Sequence, residues 1–248
     1  MAQRRRSTPA EPSPDAPYWL YGLHAVRAAL ANPHRTTRKL VASKNALQKL
    51  DAGALTLPVE EMDVRSISRL LGDAVHQGVA VLVDPLPAKP LEALQSAKLV
   101  LCLDHITDPH NVGAILRSAV AFKADAVITT TRHAASESGV LAKSASGALD
   151  LIDLVTVTNL SRAIEALKEM GFEVAALDSE ADQPLEALYP APRWAFVLGA
   201  EGKGVRQGVR AACGQIARIE AGGALTSLNV SNAAAIILYA AQRGLLDE

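Results

Sequence analysis

LVLCLDHITDPHNVGAILR, residues 99–117, is the stretch that decides the fold. Leu99 to Leu103 is apolar without alternation, the signature of a strand buried on both faces, as in a parallel sheet. Asp104 closes it, a polar turn follows, and apolar residues at helical spacing begin near Val112. Asp108 or Asn111 can cap that helix by accepting from its free N–H groups. Gly113 permits close approach of another backbone, and Arg117 lies one turn later on the same face. A helix N-terminus with an arginine makes a phosphate cradle; ordinary capping with a surface arginine explains the same residues equally well.

Downstream the pattern repeats. Strands are predicted at Ala126–Thr130, Val155–Val157, Glu173–Leu177, Trp194–Leu198 and Gln215–Ile219, and helices at Val112–Phe122, Leu160–Met170 and Leu228–Arg243. Such alternation predicts an α/β fold with a mostly parallel sheet and helices on both faces. Ligands of such sheets sit beyond the carboxyl ends of the strands, so the loops after strands carry the interest. One is WAFVLGAEGKG at 194–204. Lys203 is followed by Gly204 rather than Ser or Thr, which excludes a Walker A loop. Glu201, a carboxylate inside a glycine-rich turn, is poorly explained by packing. Another is QIARIEAGGALTSLNVS at 215–231, where a strand runs into a glycine-rich loop and Ser227 or Asn229 caps the last helix. Together these loops predict one ligand pocket lined by backbone, of unspecified ligand.

Upstream, DPLPAKP at 84–90 has the prolines of a linker, assigned to residues 85–97 between a small α/β unit at 18–84 and the larger one at 98–248. Within the small unit, Gly22–Leu30 and Ile67–Ala74 have helical spacing, and Lys39–Ala42 and Gly78–Val83 read as strands. Residues 1–17, with Arg4, Arg5, Arg6 and four prolines, are too polar to bury a core. They form either a solvated disordered tail or a basic arm on RNA phosphates.

The chain has 248 residues, 49 % of them apolar, enough for two modest cores. A net charge of −1 means that any nucleic-acid contact comes from a local basic patch, and 4 % aromatics argue against aromatic base stacking as the main recognition mode. Cys102 and Cys213 read as free thiols of a reducing compartment. No His/Cys spacing suggests a metal. With no secretory signal and no membrane-length apolar run, a soluble cytoplasmic protein is the expectation.

Asp108-Pro109-His110-Asn111-Val112-Gly113 with Arg117, then Leu198-Gly199-Ala200-Glu201-Gly202, then Ser227-Leu228-Asn229-Val230-Ser231 resemble, in order and spacing, the three motifs of the SpoU/TrmH family of RNA 2′-O-methyltransferases. The resemblance runs from Leu99 to Arg243. It extends to Tyr18–Val83, where Tyr21 to Val26 and His76 to Val79 are similar to the family's N-terminal substrate-binding domain. The resemblance implies a trefoil-knotted, mostly parallel sheet (the SPOUT class) behind a small L30e-like RNA-binding domain. It also implies S-adenosylmethionine as cofactor and a homodimer with the site near the subunit interface. Carried over residue by residue, backbone around Gly199, Ile219 and Leu228 holds the adenosyl part. Arg117, Glu201, Ser227 and Asn229 form the reaction site, and Asn111 and Arg117 hold RNA. Among members with the extra domain, the likeness is to 23S rRNA guanosine-2′-O-methyltransferases. A tRNA-directed member and a non-catalytic rRNA-binding factor are the alternatives.

The chain departs from the family pattern twice. Glu220-Ala221 stands where the family has Pro-Met, which places a carboxylate where it is expected to crowd the cofactor. Lys123 stands where a glycine usually follows the first motif's helix.

Overall fold

The computed structural model describes residues 16–50, 57–188, 190–223 and 227–244. The basic tail predicted at 1–17 lies almost wholly outside the described residues.

Two sheets organise the chain. The first contains β1 (Tyr18–Tyr21), β2 (Thr37–Ala42), β3 (Val59–Glu61) and β4 (Val79–Val83) in the order β1-β4-β2-β3. β4 runs antiparallel to β1 and β2, and β3 is parallel to β2. Its helices are α1 (Leu23–Ala31), α2 (Lys44–Lys49) and α3 (Val64–Leu71). Sequence patterning located β2, β4, α1 and α3 within a few residues; β1, α2 and β3 were not predicted.

The second sheet contains β5 (Leu99–Asp104), β6 (Ala126–Thr130), β7 (Asp153–Val157), β8 (Glu173–Leu177), β9 (Trp194–Gly199) and β10 (Gln215–Ala217). The order is β10-β8-β9-β5-β6-β7, and every pairing is parallel. The helices are α4 (Pro109–Ala121), α5 (Gly139–Ala145), α6 (Leu160–Glu169), α7 (Gln207–Ala212) and α8 (Val230–Gln242). Unbroken apolar strands demand cover on both faces, and they have it. Leu99, Leu101 and Leu103 of β5 join a core with Ile115 and Leu116 of α4 and Ile237 and Leu238 of α8. Val100 and Cys102 of the same strand join Ile164 and Leu167 of α6 and Val209 of α7 on the opposite face. α5 and α7 were not predicted. α8 begins at Val230 rather than Leu228, because Asn229 is its N-cap and accepts from the Ser231 N–H at 2.9 Å.

The segment expected as a linker carries structure of its own. Leu91–Ser96 forms a 3-10 turn with Leu94 buried, and Lys89 bridges to Val155 of β7. No helix among the described residues is long and apolar enough to cross a membrane.

Gly113 shows why α4 tolerates no side chain there. A Cβ would lie 2.5 Å from Ser144 Cβ and 2.8 Å from Ala145 N, so α4 and α5 pack backbone against backbone. Arg117, one turn later on α4, is exposed where Gly113 is buried.

The end of α4 accounts for Lys123. The Ala124 N–H donates to Ala119 O at 2.8 Å and the Lys123 N–H to Val120 O at 3.2 Å, a Schellman closure. That closure holds Lys123 at φ 56°, in the left-handed region, where an L side chain costs about 1–2 kcal/mol. Lys123→Gly is expected to raise stability by roughly 0.5–1 kcal/mol, the relief being partly offset by the more flexible unfolded chain. A urea midpoint at or below that of the wild type would show that the lysine is unstrained.

Candidate active site

Three loops after β5, β9 and β10 meet at one rim of the second sheet. The first is fixed at both ends. Asp104, the fully buried last residue of β5, accepts from the Arg206 backbone N–H at 2.9 Å and from Arg206 Nε at 2.8 Å. This ties the end of β5 to the segment before α7. Asp108 then caps α4 by accepting from the His110 N–H at 3.0 Å, with Pro109 at the first helical position. Of the two capping candidates, Asp108 does the work and Asn111 is released for another contact.

The second loop turns back on itself: the Gly204 N–H donates to Ala200 O at 2.8 Å, and Gly202 and Gly204 hold positive φ. The turn closes directly over Gly199, where a Cβ would lie 2.0 Å from Gly204 C and 2.2 Å from Val205 N. Only glycine fits, because the obstacle is backbone.

One side chain from each loop then converges. Asn111 Nδ2 donates to Glu201 Oε1 at 3.1 Å, Asn229 Nδ2 donates to the same oxygen, and Asn229 Nδ2 lies 3.1 Å from Asn111 Oδ1. Asn229 Oδ1 is also held by Ser231, whose Oγ donates at 2.6 Å. Two amide donors on one carboxylate oxygen fix the direction in which the other oxygen points.

Beside this set lies a cleft of about 520 Å³. Its apolar floor is Leu177, Leu198, Ile219 and Val230, and its wall is the 199–205 turn. Gly199, Ile219 and Leu228, the residues the sequence singled out for a cofactor, all line it, as do Glu201 and Ser227. Asn111 and Asn229 stand at its edge through Glu201. Arg117 does not line the cleft and hydrogen-bonds none of these residues. Sequence reasoning missed the contribution of the loop after β8, Asp178 to Glu180. The rule that ligands gather beyond strand ends points to it, but no motif marks it. Asp178, Glu180 and Glu201 outweigh the cationic lining residues Lys203 and Arg210, and Arg210 is paired to Asp178 at 3.0 Å. The cleft therefore favours a ligand bearing positive charge on an apolar body.

Glu220, expected to crowd this cleft, is not among its lining residues. It is largely exposed and accepts from Arg218 Nη2 at 3.2 Å. The carboxylate is balanced by the neighbouring arginine and is turned to solvent.

Comparison with known proteins agrees with this geometry. A model of the SpoU rRNA methylase family matches residues 98–239, and one of RNA 2′-O ribose methyltransferase substrate binding matches residues 19–88. The 23S rRNA (guanosine-2′-O-)-methyltransferase RlmB of Pseudomonas aeruginosa is 36 % identical over 234 residues, covering 89 % of this chain and 94 % of that protein. In fold, the chain is similar to the SpoU methyltransferase AviRb from Streptomyces viridochromogenes in complex with AdoMet, with a TM-score of 0.77, 24 % identity, and 92 % and 89 % of the two chains covered. It is likewise similar to an AdoMet-bound rRNA methyltransferase from Sinorhizobium meliloti, with a TM-score of 0.78, 24 % identity, and 93 % and 88 % covered.

Proposed function

The chain belongs to the SpoU rRNA methylase family, and from that premise we propose that it transfers a methyl group from S-adenosylmethionine to the ribose 2′-hydroxyl of a guanosine in 23S rRNA. The observation that carries this reading is the convergence of Asn111, Glu201 and Asn229, one from each loop, on the lip of a backbone-walled cleft.

The residues present fit the cofactor. Gly199 lets the 199–205 turn close tightly into a backbone wall, and the apolar floor suits an adenosyl group. The carboxylates of Asp178, Glu180 and Glu201 suit a sulfonium and an ammonium. In this reading the backbone at Gly199, Ile219 and Leu228 holds the adenosyl part. When bound, the cofactor supplies an electrophilic methyl group. Glu201, held by two asparagines, and Ser227 at the lip orient the ribose. Asn111 and Arg117 hold RNA. An arginine side chain is a cation with donors only and no acceptor, so it is no base. Arg117 accordingly clamps a phosphate and stabilises charge developing on the 2′-oxygen.

The same reading assigns residues 18–84 to substrate RNA, with residues 85–97 joining them to the catalytic unit at 98–248, and gives the chain cytoplasmic ribosomal RNA as its substrate. It gives the last strands and loops the trefoil knot of the family. It makes the protein a homodimer, for which Ile236 and Tyr239 of α8, with Leu228 before it, supply exposed apolar surface.

Two measurements test the reading. Calorimetry with S-adenosylhomocysteine is expected to show binding that does not depend on Glu220, so Glu220→Pro with Ala221→Met leaves affinity within about threefold. Mapping ribose methylation in cells lacking the protein is expected to reveal one 2′-O-methylguanosine missing from 23S rRNA. A loss confined to tRNA makes this a tRNA enzyme, and no loss with no cofactor binding makes it a non-catalytic rRNA factor.

A further inference from the structure

The rim of the second sheet holds a pair of groups that the site above does not use. His105 follows β5 and His133 follows β6, adjacent parallel strands. Their imidazole rings lie side by side, with centroids 4.6 Å apart and planes tilted by 37°. Both residues sit in the left-handed region, at φ 59° and 58°. That conformation costs an L residue on the order of 1 kcal/mol, and such strain concentrates where function holds it. Neither ring hydrogen-bonds another described residue, and His133 is exposed.

The sheet order fixes where this pair stands. The cofactor cleft opens on the β9-β8-β10 side of the rim, while β5 and β6 lie on the other side. Between them is the Asn111–Glu201–Asn229 set, whose Asn111 belongs to the helix that follows His105. Lys203, two residues from Glu201 in the same turn, is near enough to His105 to act on its charge, so the pair stands within reach of RNA whose ribose is at Glu201.

The surroundings choose among ligand classes. Burial, then the Arg206 cation, hold His105 below the ordinary imidazole range; His133 and Lys203 act in the same direction and Asp104 opposes them. These surroundings disfavour the cationic form of the ring. Neighbouring Arg206 and Lys203 repel a metal ion, and among the described residues no group of three or more His, Cys, Asp or Glu side chains is placed to hold one. What an imidazole pair with an exposed ring beside cations accepts is the face of a nucleobase, with the adjoining phosphates attracted by the cations.

We propose that the His105–His133 pair is a substrate platform on which an unpaired base next to the methylated nucleotide stacks. This rests on the RNA-methylating reading above and adds to it a residue-level contact with the flanking nucleotide. The chain has few Phe, Tyr and Trp residues, and this pair supplies a ring surface that the aromatic count conceals.

The test uses the full chain and labelled 23S rRNA from cells lacking the protein. His105→Gly with His133→Gly relieves both strained positions, so the fold is expected to be at least as stable to heat as the wild type. S-adenosylhomocysteine affinity is expected to stay within twofold. RNA affinity is expected to fall about 10-fold or more, and the RNA concentration for half-maximal methylation to rise by the same factor, with the saturated single-turnover rate nearly intact. His105→Asn with His133→Asn tolerates the same backbone and keeps polar edges without the rings; it is expected to behave like the glycine variant. Wild-type RNA affinity in the glycine variant overturns the platform, and so does full affinity in the asparagine variant. RNA binding is read separately from methyl transfer. Wild-type protein that binds RNA with this histidine dependence yet transfers no methyl group overturns the functional reading and leaves the platform supported.

Discussion

Arg35→Ala is expected to lower the unfolding free energy by about 3–5 kcal/mol, because it strands two buried carboxylates. The Arg35 side chain is fully buried between the two sheets. Its Nε donates to Asp150 Oδ1 at 2.8 Å, its Nη1 donates to Glu137 Oε1 and to Asp84 O, and Asp150 is itself 1 % exposed. Tyr18 adds its hydroxyl to Glu137 at 2.7 Å, and Asn32 adds its amide to Asp150 at 3.1 Å. Arg35, Tyr18 and Asn32 belong to the first sheet's unit; Glu137 and Asp150 flank α5 in the second. The Arg35 guanidinium, with Tyr18 and Asn32, therefore ties the first sheet's unit to the second's. Burial works against the arginine's charge, but the bond to Asp150 and the field of Tyr18, Glu137 and Asp150 outweigh it and raise the pKa.

A buried ion cluster of this kind adds less net stability than its removal costs, which gives the prediction a second arm. Arg35→Met combined with Glu137→Gln and Asp150→Asn removes all three charges together and is expected to recover most of the loss. Urea unfolding of the single and triple variants checks both statements. An Arg35→Ala protein within 1 kcal/mol of the wild type would mean that the carboxylates find water and that the cluster is no constraint.

That cluster was invisible in the sequence, and the reason is physical. Arg35, Glu137 and Asp150 lie far apart along the chain, in loops with no periodicity, and nothing local distinguishes them from solvated charges. The second sheet was legible for the opposite reason. β5, β6, β8 and β9 are buried on both faces, so their apolar runs owe little to context, and the predicted bounds fall within a residue of those observed. The elements missed have weak patterns. β3 is three exposed residues, Val59–Glu61; α2 buries only Ala46; and α7 contains Gly208 and buries only Val209. Such elements are held by tertiary contacts rather than by their own propensity.

The site divides in the same way. Backbone-directed features were readable, because Gly199 and Gly202 have no reason to stand together in a strand-to-loop transition unless the chain folds tightly there. Asp178 to Glu180 became visible only when sheet order brought β8 beside β9. The exposure of Arg117 has a related cause. A helical spacing of four residues puts it near Gly113, but Gly113 faces α5 at van der Waals contact, and a long side chain one turn later must leave that buried face for solvent.

That position sharpens what is expected of Arg117. Arg117→Ala should reduce single-turnover methyl transfer at saturating RNA by about 100- to 1000-fold, the scale seen when a donor to developing negative charge is removed. Because Arg117 does not line the cleft that holds Gly199, Ile219 and Leu228, affinity for S-adenosylhomocysteine should remain within about twofold. Arg117→Lys keeps the charge and loses the planar fork that fixes a phosphate's orientation. A displacement of about 1 Å at the reacting centre is enough to cost roughly 100-fold, so lysine should restore little of the rate. The side chain is exposed, so neither substitution should move the unfolding midpoint. The three readouts separate the roles open to this arginine. Wild-type turnover in the alanine variant would make it a surface residue, and lost cofactor binding would put it in the cleft after all. A rate that lysine restores would show that a point charge, rather than a bidentate grip on phosphate, is what the reaction needs at this position.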